Sequence, residues 1–284
     1  MDTAQHGAPA SAPAANDPLE GIVLPPCPAI LTSLVRETRA EDPDQSKIAK
    51  LIAADVGLSA AVLTTVNSPY YGLTRKVSSI QQAITIAGMK TLVQLIMRLL
   101  LRQSFPVANT RFMESFWNES TRFSLAVSRL ARELKAAQPD EAQTYALFRD
   151  CGIPAILMNP RLAPSKEDMK SLRTLADFHV LDAESLGVDH VFLGHKLAAS
   201  WHLPASLCEA IEHHHRTADD PAAANASHEA MSLVALGELA GMVTTGDSDD
   251  APGEDAWVLS HFKLSADDFA GVAGDVRGFI AGVR

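Results

Sequence analysis

The chain has 284 residues, 47% of them hydrophobic and 20% charged, which is ample for one large packed domain or two modest ones. Its formal net charge of −10 argues against broad attraction to nucleic acid or to an anionic membrane, because both need a basic surface to exchange for counterions. Cys27, Cys151 and Cys208 are far apart and form no Cys-x-x-Cys, so neither a disulfide framework nor a zinc knuckle is suggested, and a reducing cytoplasm is the expected setting.

Residues 1–20 are rich in Ala, Pro and Ser, with no basic start and no apolar run, and read as a disordered tail rather than a secretory signal. Order is expected from Ile22. Leu24-Pro-Pro-Cys-Pro28 is stiff and extended, and Pro28 opens a helix to about Arg39 with Ile30, Leu31, Leu34 and Val35 at helical spacing. Asp44 caps a second helix carrying Ile48, Leu51 and Ile52. A third, with Leu58, Val62, Leu63 and Val66, stops at Asn67-Ser-Pro69. Ser78 or Ser79 caps a fourth through Ala87, which Gly88 breaks.

Met89 to Ser104 is the most apolar stretch, yet Lys90, Gln94, Arg98 and Arg102 recur every four residues and form one polar stripe on it. That pattern belongs to a helix enclosed by protein on most sides, not to a membrane span. The stripe is a solvated face or, through Lys90, Arg98 and Arg102, a site for a phosphate or an acidic partner.

Phe105-Pro106 and the polar residues to Thr110 mark a boundary. A long helix is predicted from Phe112 to Ala137, another from Pro139 to Arg149 with Gly152 terminating it, then a short apolar element at Pro154 to Met158 and a helix capped by Ser165. Leu181 to Leu186, His190 to Trp201, Pro204 to His215, Glu229 to Val243 and Ala266 to Val283 complete an all-α chain, with mobile loops after Arg216 and at Thr245 to Asp255. The division expected is a tail (1–20), an N-terminal helical subdomain (21–106), a second helical subdomain (107–215) and a C-terminal helical extension (216–284).

His213-His-His215 is the densest concentration of site chemistry, since imidazole is the commonest neutral metal ligand. By helical periodicity His214 shares the inward face of Leu207, Ala210 and Ile211, His213 lies about 100° round from it, and His215 is a solvated helix end. His190 shares a face with Leu193, Leu197 and Trp201, so His190 and His214 can meet. A core histidine bonded to a carbonyl, or one stabilised at a helix C-terminus, gives the same pattern without a metal.

Leu24-Pro-Pro-Cys-Pro28, Leu51-Ile-Ala-Ala-Asp55, Val62-Leu-Thr-Thr-Val-Asn-Ser-Pro-Tyr70 and Ala83-Ile-Thr-Ile-Ala-Gly88 together resemble the HDOD (HD-related output domain) family. Phe116-Trp117, Phe148-Arg-Asp-Cys-Gly152, His190 with Gly194, Trp201-His-Leu-Pro204 and Ala210-Ile-Glu-His-His214 continue the match, which runs from about Ile22 to His215. The resemblance implies an all-helical bacterial fold, HD-like after the N-terminal helical subdomain, related to HD phosphohydrolases and mostly regulatory.

Related HD enzymes use a His after the Trp, an adjacent His-Asp pair and later His or Asp ligands; here Glu119 stands at the first position and Arg149 replaces the histidine before Asp150. His190, His213 and His214 stand where later ligands would lie, and the glycine-tyrosine-proline segment of the cyclic-dinucleotide hydrolases is missing. Arginine has no lone pair to donate and repels a cation, so the expected site is a degenerate cleft of Glu119, Arg149, Asp150, His190, His213 and His214, with no resident cofactor. The expected function is a non-catalytic signalling module acting through a protein partner, with room for a small ligand in the degenerate cleft. Two alternatives stay open: a phosphohydrolase holding Fe, Mn or Zn on Glu119, Asp150, His190, His213 and His214, and a nucleotide or cyclic-dinucleotide binder without hydrolysis, using Arg149 on a phosphate.

Overall fold

The computed structural model describes residues 21–38, 40–107, 111–172, 178, 189–217, 220–245 and 257–282. The expected tail, the short helix at Leu181 to Leu186 and all but the start of the Thr245 to Asp255 loop lie outside them.

The first five helices are α1 (Ala29–Thr38), α2 (Gln45–Ala53), α3 (Val56–Val66), α4 (Ile80–Ala87) and α5 (Met89–Ser104). Their starts are set by side chains that satisfy orphan backbone N–H groups: Asp44 accepts from Ser46 N at 2.8 Å, Asp55 from Leu58 N at 2.9 Å and Ser79 from Gln82 N at 3.2 Å. Between α3 and α4 the Asn67 amide closes the turn. Its Oδ1 accepts from Val77 N at 2.7 Å and its Nδ2 donates to Val77 O at 2.8 Å, which explains an asparagine before Ser68-Pro69.

Helix α5 is enclosed as its composition requires, with Leu92, Val93, Leu95, Ile96, Met97, Leu100 and Leu101 buried. Its polar stripe is not simply solvated. Gln94 is buried and donates to the Asp140 carbonyl at 3.0 Å and to Thr144 Oγ1 at 3.2 Å, and Lys90 Nζ lies 3.5 Å from the Asp140 carboxylate. The first half of the stripe therefore ties α5 to the helix that begins at Pro139.

The second group is α6 (Arg111–Leu134), α7 (Pro139–Phe148), α8 (Gly152–Met158), α9 (Lys166–Ser171), α10 (His190–Ser200) and α11 (Ala205–Glu212). Helix α6 ends at Lys135, whose φ of 52° no helix can continue. The closing helices are α12 (His228–Thr245), α13 (Trp257–Phe262) and α14 (Ala266–Gly282); α12 and α14 pack on α6. A single apolar cluster runs from Leu31 to Ile280 through all three groups. No strand occurs among the described residues, and among them no single helix is long and apolar enough to cross a membrane.

The extended residues before α1 are stapled to the second group. Asn159 Oδ1 accepts from Val23 N at 2.9 Å while its Nδ2 donates to Val23 O at 3.1 Å, and Trp201 Nε1 donates to Pro25 O at 3.0 Å. Two motifs nearly 180 residues apart in sequence, Leu24-Pro-Pro and Trp201-His-Leu-Pro, are thus halves of one contact.

Candidate functional site

Three helix ends build the site. Helix α7 stops at Phe148, so Arg149 and Asp150 fall on the tight turn into α8. Asp189 caps α10 by accepting from Phe192 N at 2.6 Å, which makes His190 the first helical residue. Gly152 starts α8 rather than ending α7, because it is where the two helices touch: a Cβ there would overlap the His190 carbonyl. This close approach, available only to glycine, sets His190 beside Asp150. The third end is at Glu212, where α11 stops and residues 213–215 form a turn.

Asp150, His190, His214 and His215 each point one donor atom into a common space, all within 4.8 Å of one another. Nε2 of His190 lies 3.0 Å from Nε2 of His215 and 3.4 Å from Nε2 of His214; Oδ1 of Asp150 lies 3.3 Å from His214 Nε2 and 3.8 Å from His190 Nε2. A tetrahedral ion with bonds of about 2.0–2.1 Å needs donors about 3.3 Å apart, so one carboxylate oxygen and three imidazole nitrogens fit a divalent transition metal. His214 Nδ1 is 2.7 Å from the Ile211 carbonyl, which can only accept, so Nδ1 carries the proton and Nε2 turns its lone pair inward.

The electrostatics favour donors in their ligating forms. Burial lowers the His214 pKa, against the opposing pull of the Asp150 carboxylate, and keeps the ring neutral. Burial alone would raise Asp150, but the Arg149 guanidinium first, and then the surrounding His214 and His190, outweigh it and hold the carboxyl well below the usual range.

Of the six residues expected in the cleft, the structure brings Asp150, His190 and His214 together with Arg149 alongside. The Arg149 guanidinium lies over the Phe123 ring, 4.7 Å from its centroid, with Nε 3.8 Å from Oδ2 of Asp150, the oxygen turned away from the histidines. Glu119 is not brought in: it is exposed on α6 and accepts from Ser115 Oγ at 2.6 Å. His213 is also outside the four-donor group, and His215 stands in it instead. Helical periodicity fails here because α11 ends at Glu212; His213, the cap with φ −110° and ψ 10°, turns the chain and swings the His215 ring to His190. Nothing in the apolar spacing signals that turn.

A family profile for the HDOD domain matches residues 24–217. An uncharacterized protein of Treponema pallidum (strain Nichols) is 26% identical over 215 residues, 70% of this chain and 39% of that protein, so the chain spans about two fifths of the length of this relative. Among solved structures, an HDOD domain protein of unknown function from Geobacter sulfurreducens shares the fold with a TM-score of 0.70 at 20% identity, covering 93% of each chain. A candidate phosphohydrolase from Shewanella amazonensis SB2B does so with a TM-score of 0.63 at 23% identity, covering 92% of this chain and 94% of that one. With its all-helical architecture and a matching profile over most of its length, the chain belongs to the HDOD family.

Proposed function

We propose that the protein is a non-catalytic, cytoplasmic signal-transduction module that works through contacts with a protein partner, and that its cleft does not hydrolyse phosphate esters. The observation that carries this reading is Arg149 beside Asp150. Two-metal phosphohydrolysis needs ligands for two cations about 3.5–4 Å apart. Here the four donors converge on one point, the neighbouring position holds a fixed positive charge, and Glu119 faces solvent. The likeness to the Shewanella phosphohydrolase candidate is one of fold.

The donor spacing favours a second, compatible reading: one Fe, Mn or Zn ion held by Asp150, His190, His214 and His215. Such an ion would supply a cross-link between the α7–α8 turn, α10 and the turn after α11, and Lewis acidity at any open coordination position.

The test is metal analysis of protein purified without a His-tag, combined with turnover assays on nucleoside monophosphates and cyclic dinucleotides. At most one ion per chain and no turnover are expected. Phosphohydrolysis that disappears in Asp150→Ala would overturn the non-catalytic reading.

A further inference from the structure

The second half of the α5 stripe opens a different site. A cavity of about 560 Å³ lies between α5 and α6, with the end of α3 and the Ser68–Tyr71 turn on one side and α7 behind it. Arg98 and Arg102 line it from successive turns of α5 and Arg122 from α6; among the described residues they are the only charged ones in its lining. None of the three forms an ion pair with a carboxylate among the described residues. In a chain of net charge −10, three arginines in one concavity without a counter-ion need an explanation.

The helix that carries two of the arginines is anchored. Lys90 and Gln94 fix α5 to α7 at the other end of the stripe, so Arg98 and Arg102 project from an anchored helix. Arg98 is partly buried; that burial, with Arg102 adding and Tyr71 opposing, lowers its pKa. The rest of the lining divides into neutral polar groups such as Asn118 and an apolar wall of Trp117, Leu95 and Leu125.

We propose that this cavity binds a small organic phosphate of nucleoside di- or triphosphate size, its phosphates on Arg98, Arg102 and Arg122 and its organic part against the Trp117 and leucine wall. Guanidinium groups pair phosphate oxygens bidentately, and the volume is that of a small-molecule site. A concave site with an apolar wall suits a compact ligand better than a nucleic-acid backbone, which needs an extended basic surface. This site is distinct from the histidine cleft and does not depend on how that cleft functions.

The test is calorimetric titration of the full chain with ATP, GTP and sodium pyrophosphate in separate arms. A nucleotide should bind more tightly than pyrophosphate, which lacks the organic part. Arg102→Glu and Arg122→Glu, both at exposed positions and checked for an unchanged thermal melt, should each weaken it by about tenfold or more, as loss of a charge-assisted pair implies. EDTA, which empties the histidine cleft of any ion, should leave nucleotide binding unchanged. Absence of binding in all three arms, equal affinity for pyrophosphate, or retention of nucleotide in both arginine variants would overturn the assignment. So would its loss in EDTA.

Discussion

Nε2 of His214 faces Oδ1 of Asp150 at 3.3 Å while the proton of the same ring is donated to the Ile211 carbonyl. A neutral imidazole lone pair and an ionised carboxylate oxygen repel at that distance unless a cation or a second proton lies between them. The site is arranged for a positive charge at its centre. In thermal unfolding, Zn²⁺ or Mn²⁺ should stabilise the protein, by about 2.7 kcal/mol at a free concentration a hundredfold above Kd, and EDTA should reverse it. His215→Ala should abolish most of that shift and His213→Ala should leave it. The opposite ranking would show that the turn after α11 does not present His215 as a ligand.

Arg149 acts on the same centre from the far side of Asp150. Replacing it by Met removes a fixed charge beside the proposed metal position and should raise metal affinity, on the order of tenfold at the effective dielectric of a partly buried site. The same change loses the stack on Phe123, about 0.5–1 kcal/mol of stability without metal. Affinity and apo stability should therefore move in opposite directions, measured by competition with a chromophoric chelator and by urea unfolding. A fall in affinity would mean that Arg149 serves chiefly to orient the Asp150 carboxylate.

The pH dependence of the metal-free protein follows from two groups with the same sign. Burial puts the folded-state pKa of His214 below its ordinary 6.5, so near that pH the unfolded chain binds more protons. The stabilisation is complete above the unfolded value and is lost as pH falls through the folded one. Asp150 repeats this lower down: its folded pKa is depressed, so its contribution is complete above about pH 4 and is lost in stronger acid. Urea unfolding in EDTA should show stability declining from about pH 6.5 downward, and His214→Gln should flatten the upper part of that decline more than the part below about pH 4, where Arg149 still holds Asp150 down. A slope unchanged in His214→Gln would assign the titration to another group.

Local chemistry made much of this legible in the sequence. Asp44 and Ser79 cap the helices they were expected to cap, Met89 to Ser104 is the enclosed helix that its single stripe implies, and His190 meets His214 as their shared faces require. What escaped depends on tertiary contact. Gly152 reads as a helix terminator because the His190 carbonyl against it is a tertiary contact, and His215 reads as a solvated end because apolar spacing carries no sign that the helix stops at Glu212. Trp257–Phe262 is too short a helix to show a period. The stripe on α5 was visible, but only the packing of α6 and α7 divides it into an anchoring half and a cavity-lining half.

Gly152 offers the sharpest test of how the site is assembled. A methyl group there meets the backbone of His190, which cannot rotate away as a side chain would, so α8 and α10 must separate. Overpacking of this kind costs about 1–3 kcal/mol, and the separation also moves His190 from Asp150. Gly152→Ala should therefore lower the thermal midpoint and weaken Zn²⁺ stabilisation together. Gly274→Ala is the control, since a Cβ at Gly274 on α14 meets nothing and the change should be neutral or stabilising by roughly 0.5–1 kcal/mol. If both variants melt alike, the close contact of α8 and α10 is not what holds Asp150 and His190 together.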